Sequence, residues 1–207
     1  HHRAAALRAL GCVADRAAVA EAVTGWTGAA LEAAVLSEGG AAAEMRSLAD
    51  WARHPQGQAV VREPLIAWET WDGPPRAIQG LKVLDLTRVL AGPVATRFLA
   101  GFGAQVLRID PPWWNEPGAE TEVTLGKRLA GLDLRRAGDR ATFDSLLAQA
   151  DVLVHGYRPG ALAGLGYSAE ALQRLSPGLI DVSLCAYGWT GPWAARRAID
   201  STAESTV

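Results

Sequence analysis

The chain has 207 residues, 49% of them apolar and 20% charged, and a formal net charge of −2. This is the balance of an ordinary soluble globular protein, with room for one large domain or one and a half small ones. With neither a basic excess nor an apolar run near the ~18 residues of a membrane span, no nucleic-acid and no membrane partner is expected.

The first part reads as helical. Asp15 caps "RAAVAEAVTGW", where Val19, Val23 and Trp26 recur at helical spacing. A second helix fits "ALEAAVLSEGG", ended by Gly39-Gly40, and Ser47 caps a third, "LADWARH", which Pro55 is expected to close. "AVVREPLIAWE" is expected to be extended, and His54, between Arg53 and Pro55, reads as a surface residue. "TWDGPPRAIQG", residues 70–80, has the proline and glycine content of a linker.

After the linker the pattern changes. "LKVLDL" (81–86) reads as a strand, "GPVATRFLAGFG" as a helix with Val94, Phe98 and Leu99 on one face, and "AQVLRID" (104–110) as a second strand. "PPWWNEPGAETEV" (111–123) is a charged, aromatic loop of the kind that carries function. "KRLAGLDL" (127–134) is a further strand, and "RATFDSLLAQA" a helix with Phe143, Leu146 and Leu147 inward. "DVLVHGY" (151–157) is a strand, Ser168 caps "AEALQRL", and "PGLIDVSLCAYG" (177–188) is the last strand. Strands alternating with helices at this spacing imply βαβ units, a mainly parallel sheet, and ligands beyond the carboxyl ends of the strands. The turns after 86, 110, 155 and 185 therefore share one rim.

The chemistry of that rim is open from the residues alone. The first turn, Thr87 to Pro93, has one glycine and neither a dinucleotide fingerprint nor a P-loop. It is either a plain turn into a proline-started helix or a helix start that holds an anion. Asp85, inside an apolar strand, reads as a hydrogen-bonded anchor, and His155 as a structural histidine or a base. Tyr157 and Arg158 in "GYRPGALAGLG", and the aromatics of "AYGWTGPWAARRAID" before Asp200, suit a planar ligand. No histidines and carboxylates have metal-ligand spacing, so no metal is expected, and no serine sits in a nucleophile elbow. Cys12 and Cys185 form no disulfide framework, which fits a reducing, cytoplasmic setting. No signal peptide is visible. The chain begins without Met and runs to Glu204-Ser205-Thr206-Val207 without a terminal element, as expected of a piece of a longer protein.

Four blocks, "GLKVLDLTRVLAGPVATRFLAGFGAQVLRID", "KRLAGLDL", "DVLVHGYRPGALAGLGY" and "PGLIDVSLCAYGWTGPWAARRAID", stand in an order and spacing that resemble the family III CoA-transferases of the CaiB/BaiF type. The resemblance covers about residues 78–203. "VTGWTGAALEAAVLSEGGAAAEMRSLADWARHPQGQAV" resembles the end of that family's small domain, here placed before the large one, which implies a tandem protein. The expected fold is α/β: a Rossmann-like parallel sheet flanked by helices, preceded by a small, mostly helical segment. Residues 1–69 would be the helical segment, 70–80 the linker and 81–207 an incomplete CoA-binding domain.

By that resemblance the reaction is transfer of coenzyme A between an acyl-CoA thioester and a carboxylic acid, with no permanently bound cofactor. Asp200 would be the nucleophile that carries CoA as an aspartyl thioester. CoA would lie on Arg88, Val89, Ala91 and Arg108, with Lys127 and Arg128 at its phosphates and Tyr157, Pro159, Ala161 and Leu165 on the adenine side. The alternatives are an acyl-CoA racemase or isomerase of the same family, and a non-catalytic CoA-binding or dimerisation module. Ile199 stands where some racemases have histidine, which favours transfer. The resemblance also implies an interlocked homodimer, and these 207 residues alone are expected to be inactive.

Overall fold

The protein is described by a computed structural model, which covers residues 2–73, 80–115, 118–199 and 202–203. Asp200 and the linker residues 74–79 lie outside the described residues. Two compact units emerge, one of residues 1–65 with 186–207 and one of residues 66–185.

The first unit holds α1 (His2–Leu10), α2 (Arg16–Val23), α3 (Gly28–Ser37), α4 (Leu48–Arg53) and α5 (Pro55–Val60). Local chemistry sets their starts. The Asp15 carboxylate accepts from the Ala17 and Ala18 N–H groups, Thr27 Oγ1 from Ala30, and Ser47 Oγ from Asp50. Gly39 (φ +75°) supplies the left-handed residue after α3. Pro55 does not simply end a helix: it is the first residue of α5, where its missing N–H costs nothing. His54 ends α4 and caps α5, its Nδ1 accepting from Gln56 N–H at 3.1 Å. Its ring stacks on Trp51 at 5.2 Å and meets Trp193 edge-on at 4.5 Å, so it is a packed residue rather than a surface one. Ala59 and Val60, expected to be extended, complete α5.

The second unit is a five-stranded, wholly parallel sheet of β1 (Lys82–Leu86), β2 (Gln105–Asp110), β3 (Lys127–Gly131), β4 (Val152–His155) and β5 (Ile180–Ser183), in the order β3-β2-β1-β4-β5. With the helical segment before it, this is the expected α/β architecture. α6 (Ala91–Gly101), α7 (Glu120–Thr124), α8 (Ala137–Leu147) and α9 (Ala169–Leu175) connect the strands, with a 3₁₀ turn at Ala163–Leu165. One face of the sheet (Leu84, Leu86, Ile109, Leu153) packs on Phe143 and Leu147 of α8 and Leu172 of α9. The other face (Val83, Val106, Val152, Val154) packs on Leu99 and Ala100 of α6. Both faces are covered, which is why the strands read as continuous apolar runs. Phe143 has no exposed surface and meets Tyr167 edge-on at 5.1 Å. Burying a side chain of this size contributes roughly 1.5–3 kcal/mol.

α6 is rotated from its expected face. It buries Gly92, Pro93 and Thr96 and leaves Val94 and Phe98 outward, at 46% and 64% exposure. The cause is polar. The Thr96 hydroxyl donates to Asp85 Oδ2 at 2.5 Å, and that bond outranks the apolar stripe in setting the helix rotation.

Candidate functional site

Beneath the rim lies a buried polar anchor. Asp85, with no exposed surface, accepts from the Thr87 N–H (2.9 Å), the Thr87 and Thr96 hydroxyls (each 2.5 Å) and Lys127 Nζ (2.8 Å). Lys127 Nζ also donates to the Pro93 carbonyl (2.9 Å) and Thr96 Oγ1 (2.7 Å), which uses its three protons. Its side chain has no exposed surface. Burial pushes the ammonium below the usual lysine range, while the Asp85 hydrogen bond and charge oppose that shift. Lys127, expected at a CoA phosphate, directs its ammonium inward in this structure, with all three protons on Asp85, Pro93 and Thr96.

The anchor fixes the first turn. A Cβ on Gly92 would stand 2.4 Å from Thr87 Cβ, so the turn's one glycine is required by close packing of α6 against the strand end. Val89 takes the left-handed conformation, φ +69°. For a β-branched residue that is strained by roughly 1–3 kcal/mol, and it is sustained because the Asp85 bonds and α6 determine the backbone on either side.

The strand order reverses between β1 and β4, where open α/β sheets bind ligands. Arg88 follows β1 and Tyr157 follows β4. Burial holds the Tyr157 phenol above its usual pKa, with the nearby Arg88 guanidinium working against it. The Arg88 guanidinium lies over the Trp114 ring at 4.6 Å, and its Nε is 3.6 Å from Asp110 Oδ1. Arg108, 2% exposed, donates from Nε to Asp110 Oδ2 at 2.7 Å. Arg108 therefore orients Asp110 from below, and Arg88 is the half-exposed cation of the group. A second stack stands nearby in the loops: Arg135 lies over Trp113 at 4.5 Å and is paired with Asp133 at 2.9 Å.

The other expected contacts spread along the same rim. Ala91 opens α6 and is exposed. Pro159 and Ala161 are half-buried in the loop after β4, closed by Ala161 N–H to Arg158 O at 2.9 Å. Leu165 lies in the 3₁₀ turn and packs on the core. Arg128 is exposed on edge strand β3, one residue from the inward Lys127, so it points to the opposite face. His155 is 8% exposed with Nε2 3.4 Å from Asp181 Oδ1, which fits an anchor between β4 and β5 better than a base. For Trp113 and Trp114 the only signal in the sequence is the aromatic content of loop 111–123, and Arg135 reads there as one of a surface doublet with Arg136. A cleft of about 40 Å³, room for roughly one water, opens between Arg108, Asp110, Trp114, Asn115, Glu120, Thr124 and Leu129. Among the described residues no group of histidine, cysteine and carboxylate side chains is arranged to hold a metal, and no helix is long and apolar enough to cross a membrane.

In the first unit, the segment leading to Asp200 is tied down by charge and aromatics. Arg196 pairs with Glu32 Oε1 at 3.0 Å, donates to the Ala42 carbonyl at 3.0 Å, and lies 3.8 Å over the Trp193 ring. Arg46 pairs with Glu32 Oε2 at 3.1 Å and faces the same indole at 5.1 Å. Burial alone would raise the Glu32 carboxyl, but the Glu44 N–H and the two guanidiniums outweigh it and hold its pKa below the usual range. The Thr202 hydroxyl accepts from the Ile199 N–H at 2.9 Å.

Comparison with known proteins gives a consistent result. The chain is 35% identical over 150 residues to the acetyl-CoA:oxalate CoA-transferase of Acetobacter aceti, covering 66% of this chain and 39% of that one. It is 32% identical over 155 residues to the human succinyl-CoA:glutarate CoA-transferase, covering 65% and 35%. Among solved structures, a CaiB/BaiF family protein from Brucella suis superposes with a TM-score of 0.53 at 31% identity, over 63% of this chain and 38% of that one. The Mycobacterium tuberculosis protein Rv3272 gives 0.53 at 31% identity, over 61% and 38%. The chain thus spans less than two-fifths of the length of these relatives. Residues 78–207, which hold the whole sheet and its rim, match CoA-transferase family III, and the chain belongs to that family.

Proposed function

We propose that this protein takes part in moving coenzyme A from an acyl-CoA thioester to a carboxylic acid, with Asp200 as the covalent carrier. One Asp200 carboxylate oxygen attacks the thioester carbonyl and expels CoA thiolate, leaving a mixed anhydride. The thiolate then attacks the aspartyl carbon, releasing the donor acid and forming an aspartyl-CoA thioester. The acceptor carboxylate repeats the two steps in reverse order, and Asp200 emerges unchanged. No redox step or permanently bound cofactor is needed.

The observation that carries the reading is the Arg88–Tyr157–Trp114 group at the reversal of strand order, in a chain of this family. A guanidinium stacked on an indole beside a phenol offers charge to a phosphate and flat surface to an adenine. Val89, Ala91, Pro159, Ala161 and Leu165 would border the nucleotide, Arg128 would meet it only at its edge, and Arg108 would act through Asp110. The named substrates of the two relatives pair a short acyl-CoA with a dicarboxylate, which supports a carboxylic acid acceptor. In this reading residues 81–207 are the front of a CoA-binding domain, 1–69 the tail of a preceding copy and 70–80 the linker. The working form is a cytoplasmic, interlocked homodimer of a longer polypeptide, and the 207 residues alone do not turn over.

The test is Asp200→Ala in the longer protein that carries this chain, assayed by exchange of labelled acid into acyl-CoA. Loss of exchange with retained CoA binding is expected. Exchange at the wild-type rate sinks the nucleophile assignment, deuterium uptake at the α-carbon without exchange means a racemase, and absence of CoA binding means a structural module.

A further inference from the structure

The family match begins at residue 78, yet the matched residues from 186 onward belong to a compact unit with residues 1–65, which lie outside the match. Two side chains of the unmatched part hold the backbone of the loop at 187–193. Gln56, with no exposed surface, donates from Nε2 to the carbonyls of Tyr187 (2.5 Å) and Thr190 (2.8 Å). Its Oε1 accepts from the Trp193 N–H at 2.6 Å. One buried amide thus reads three backbone groups of a single loop. Glu63 takes the outer side. Its Oε1 accepts from the Thr190 N–H (2.6 Å) and hydroxyl (2.5 Å), and Oε2 from the Trp189 N–H (2.9 Å).

The loop is shaped to receive them. Gly188 and Gly191 have φ of +85° and +86°. A Cβ on Gly188 would come 2.8 Å from Glu63 Oε2, and one on Gly191 would come 2.6 Å from Ala59 Cβ and 2.7 Å from Gln56 Oε1. Both glycines of "GWTG" are therefore where α5 and its following turn press on the loop. Backbone contacts of this kind fix position without depending on the loop's side chains.

We propose that Gln56 and Glu63 form a clamp by which residues 1–65 position the polypeptide that runs from Tyr187 into Asp200. They are positioning residues for the nucleophile, acting through the backbone of 187–193, and the segment outside the family match is a working part of the site. This rests on Asp200 being the carrier. The loop at 188–191 is accordingly an interaction surface whose partner is the α4–α5 segment of this fold.

The test joins a structural readout to a kinetic one. In Gln56→Met, which keeps volume but not the hydrogen bonds, amide exchange of 187–193 should rise on the order of a hundredfold, three lost bonds at roughly fivefold each. Glu63→Ala should act alike, and Glu63→Gln, which retains an accepting oxygen, should restore most of the protection. Exchange in α1, α2 and α3 of the same unit should not change, which shows that the unit survives. In the longer protein, Gln56→Met should lower kcat tenfold or more while KM for acyl-CoA stays within twofold. Unchanged protection of 187–193 overturns the clamp, and faster exchange with wild-type kcat overturns its positioning role. Should Asp200→Ala prove fully active, the carrier assignment falls, and the exchange data still decide the clamp.

Discussion

Lys127→Met distinguishes an internal anchor from a phosphate ligand. In the wild type, Asp85 takes four hydrogen bonds with no exposed surface, and the Lys127 ammonium supplies its counter-charge. Methionine preserves the length of the side chain but leaves the carboxylate to three neutral donors. Breaking one partner of a buried pair costs about 3–5 kcal/mol, whereas replacing both is often close to neutral. Asp85→Asn should cost less than Lys127→Met, because burial already pushes the lysine toward its neutral form. The double variant Asp85→Asn/Lys127→Met should be more stable than Lys127→Met alone, with a coupling of about 2 kcal/mol or more. The assay is urea unfolding of the chain, with β1 and β4 amide exchange reporting on the sheet unit. Heating should show the single variant melting on the order of 10 °C lower. A Lys127→Met change within about 0.5 kcal/mol of wild type, accompanied by a large loss of CoA affinity, would refute the anchor and restore the lysine to the ligand.

Two further expectations concern the rim and the first unit. Arg88→Ala should weaken CoA binding by about 10–100-fold by calorimetry, since it removes one charged hydrogen-bonding group and the face of the Trp114 stack; stability should change by less than about 1 kcal/mol, because the side chain is partly exposed. Glu32 has a folded pKa below that of a glutamate in the unfolded chain. Its contribution is therefore fully present above that unfolded value and is lost as pH falls through the folded one. Exchange of 187–199 amides should accelerate below about pH 4 in the wild type and depend less on pH in Glu32→Gln.

Much of the architecture was legible. Strand positions came from short apolar runs, helix starts from Asp15, Ser47 and Ser168, and parallel order from the alternation of elements; each is a signal carried by neighbours within one turn or strand. One departure was local: Pro55 opens a helix as well as following one, because its neighbour His54 caps both. The other came from a distant partner. The rotation of α6 follows Thr96 rather than Val94 and Phe98, because Asp85 lies behind it.

The site divides in the same way. Sequence by itself determined the family, the rim, and the residues at its turns, Arg88 and Tyr157 among them, because a parallel sheet places every strand's carboxyl end on one side. Only the tertiary structure decided which of its cations are available. Lys127 and Arg108 are adjacent to the rim in register but spend their protons on Asp85, Pro93, Thr96 and Asp110, while Arg88 keeps a partly exposed face. Likewise, no spacing in "GWTGPW" announces Gln56, which is more than 130 positions away. Charge and hydrogen-bonding capacity are written in residue types. Whether they are spent inside the fold depends on burial and on partners that only folding brings together.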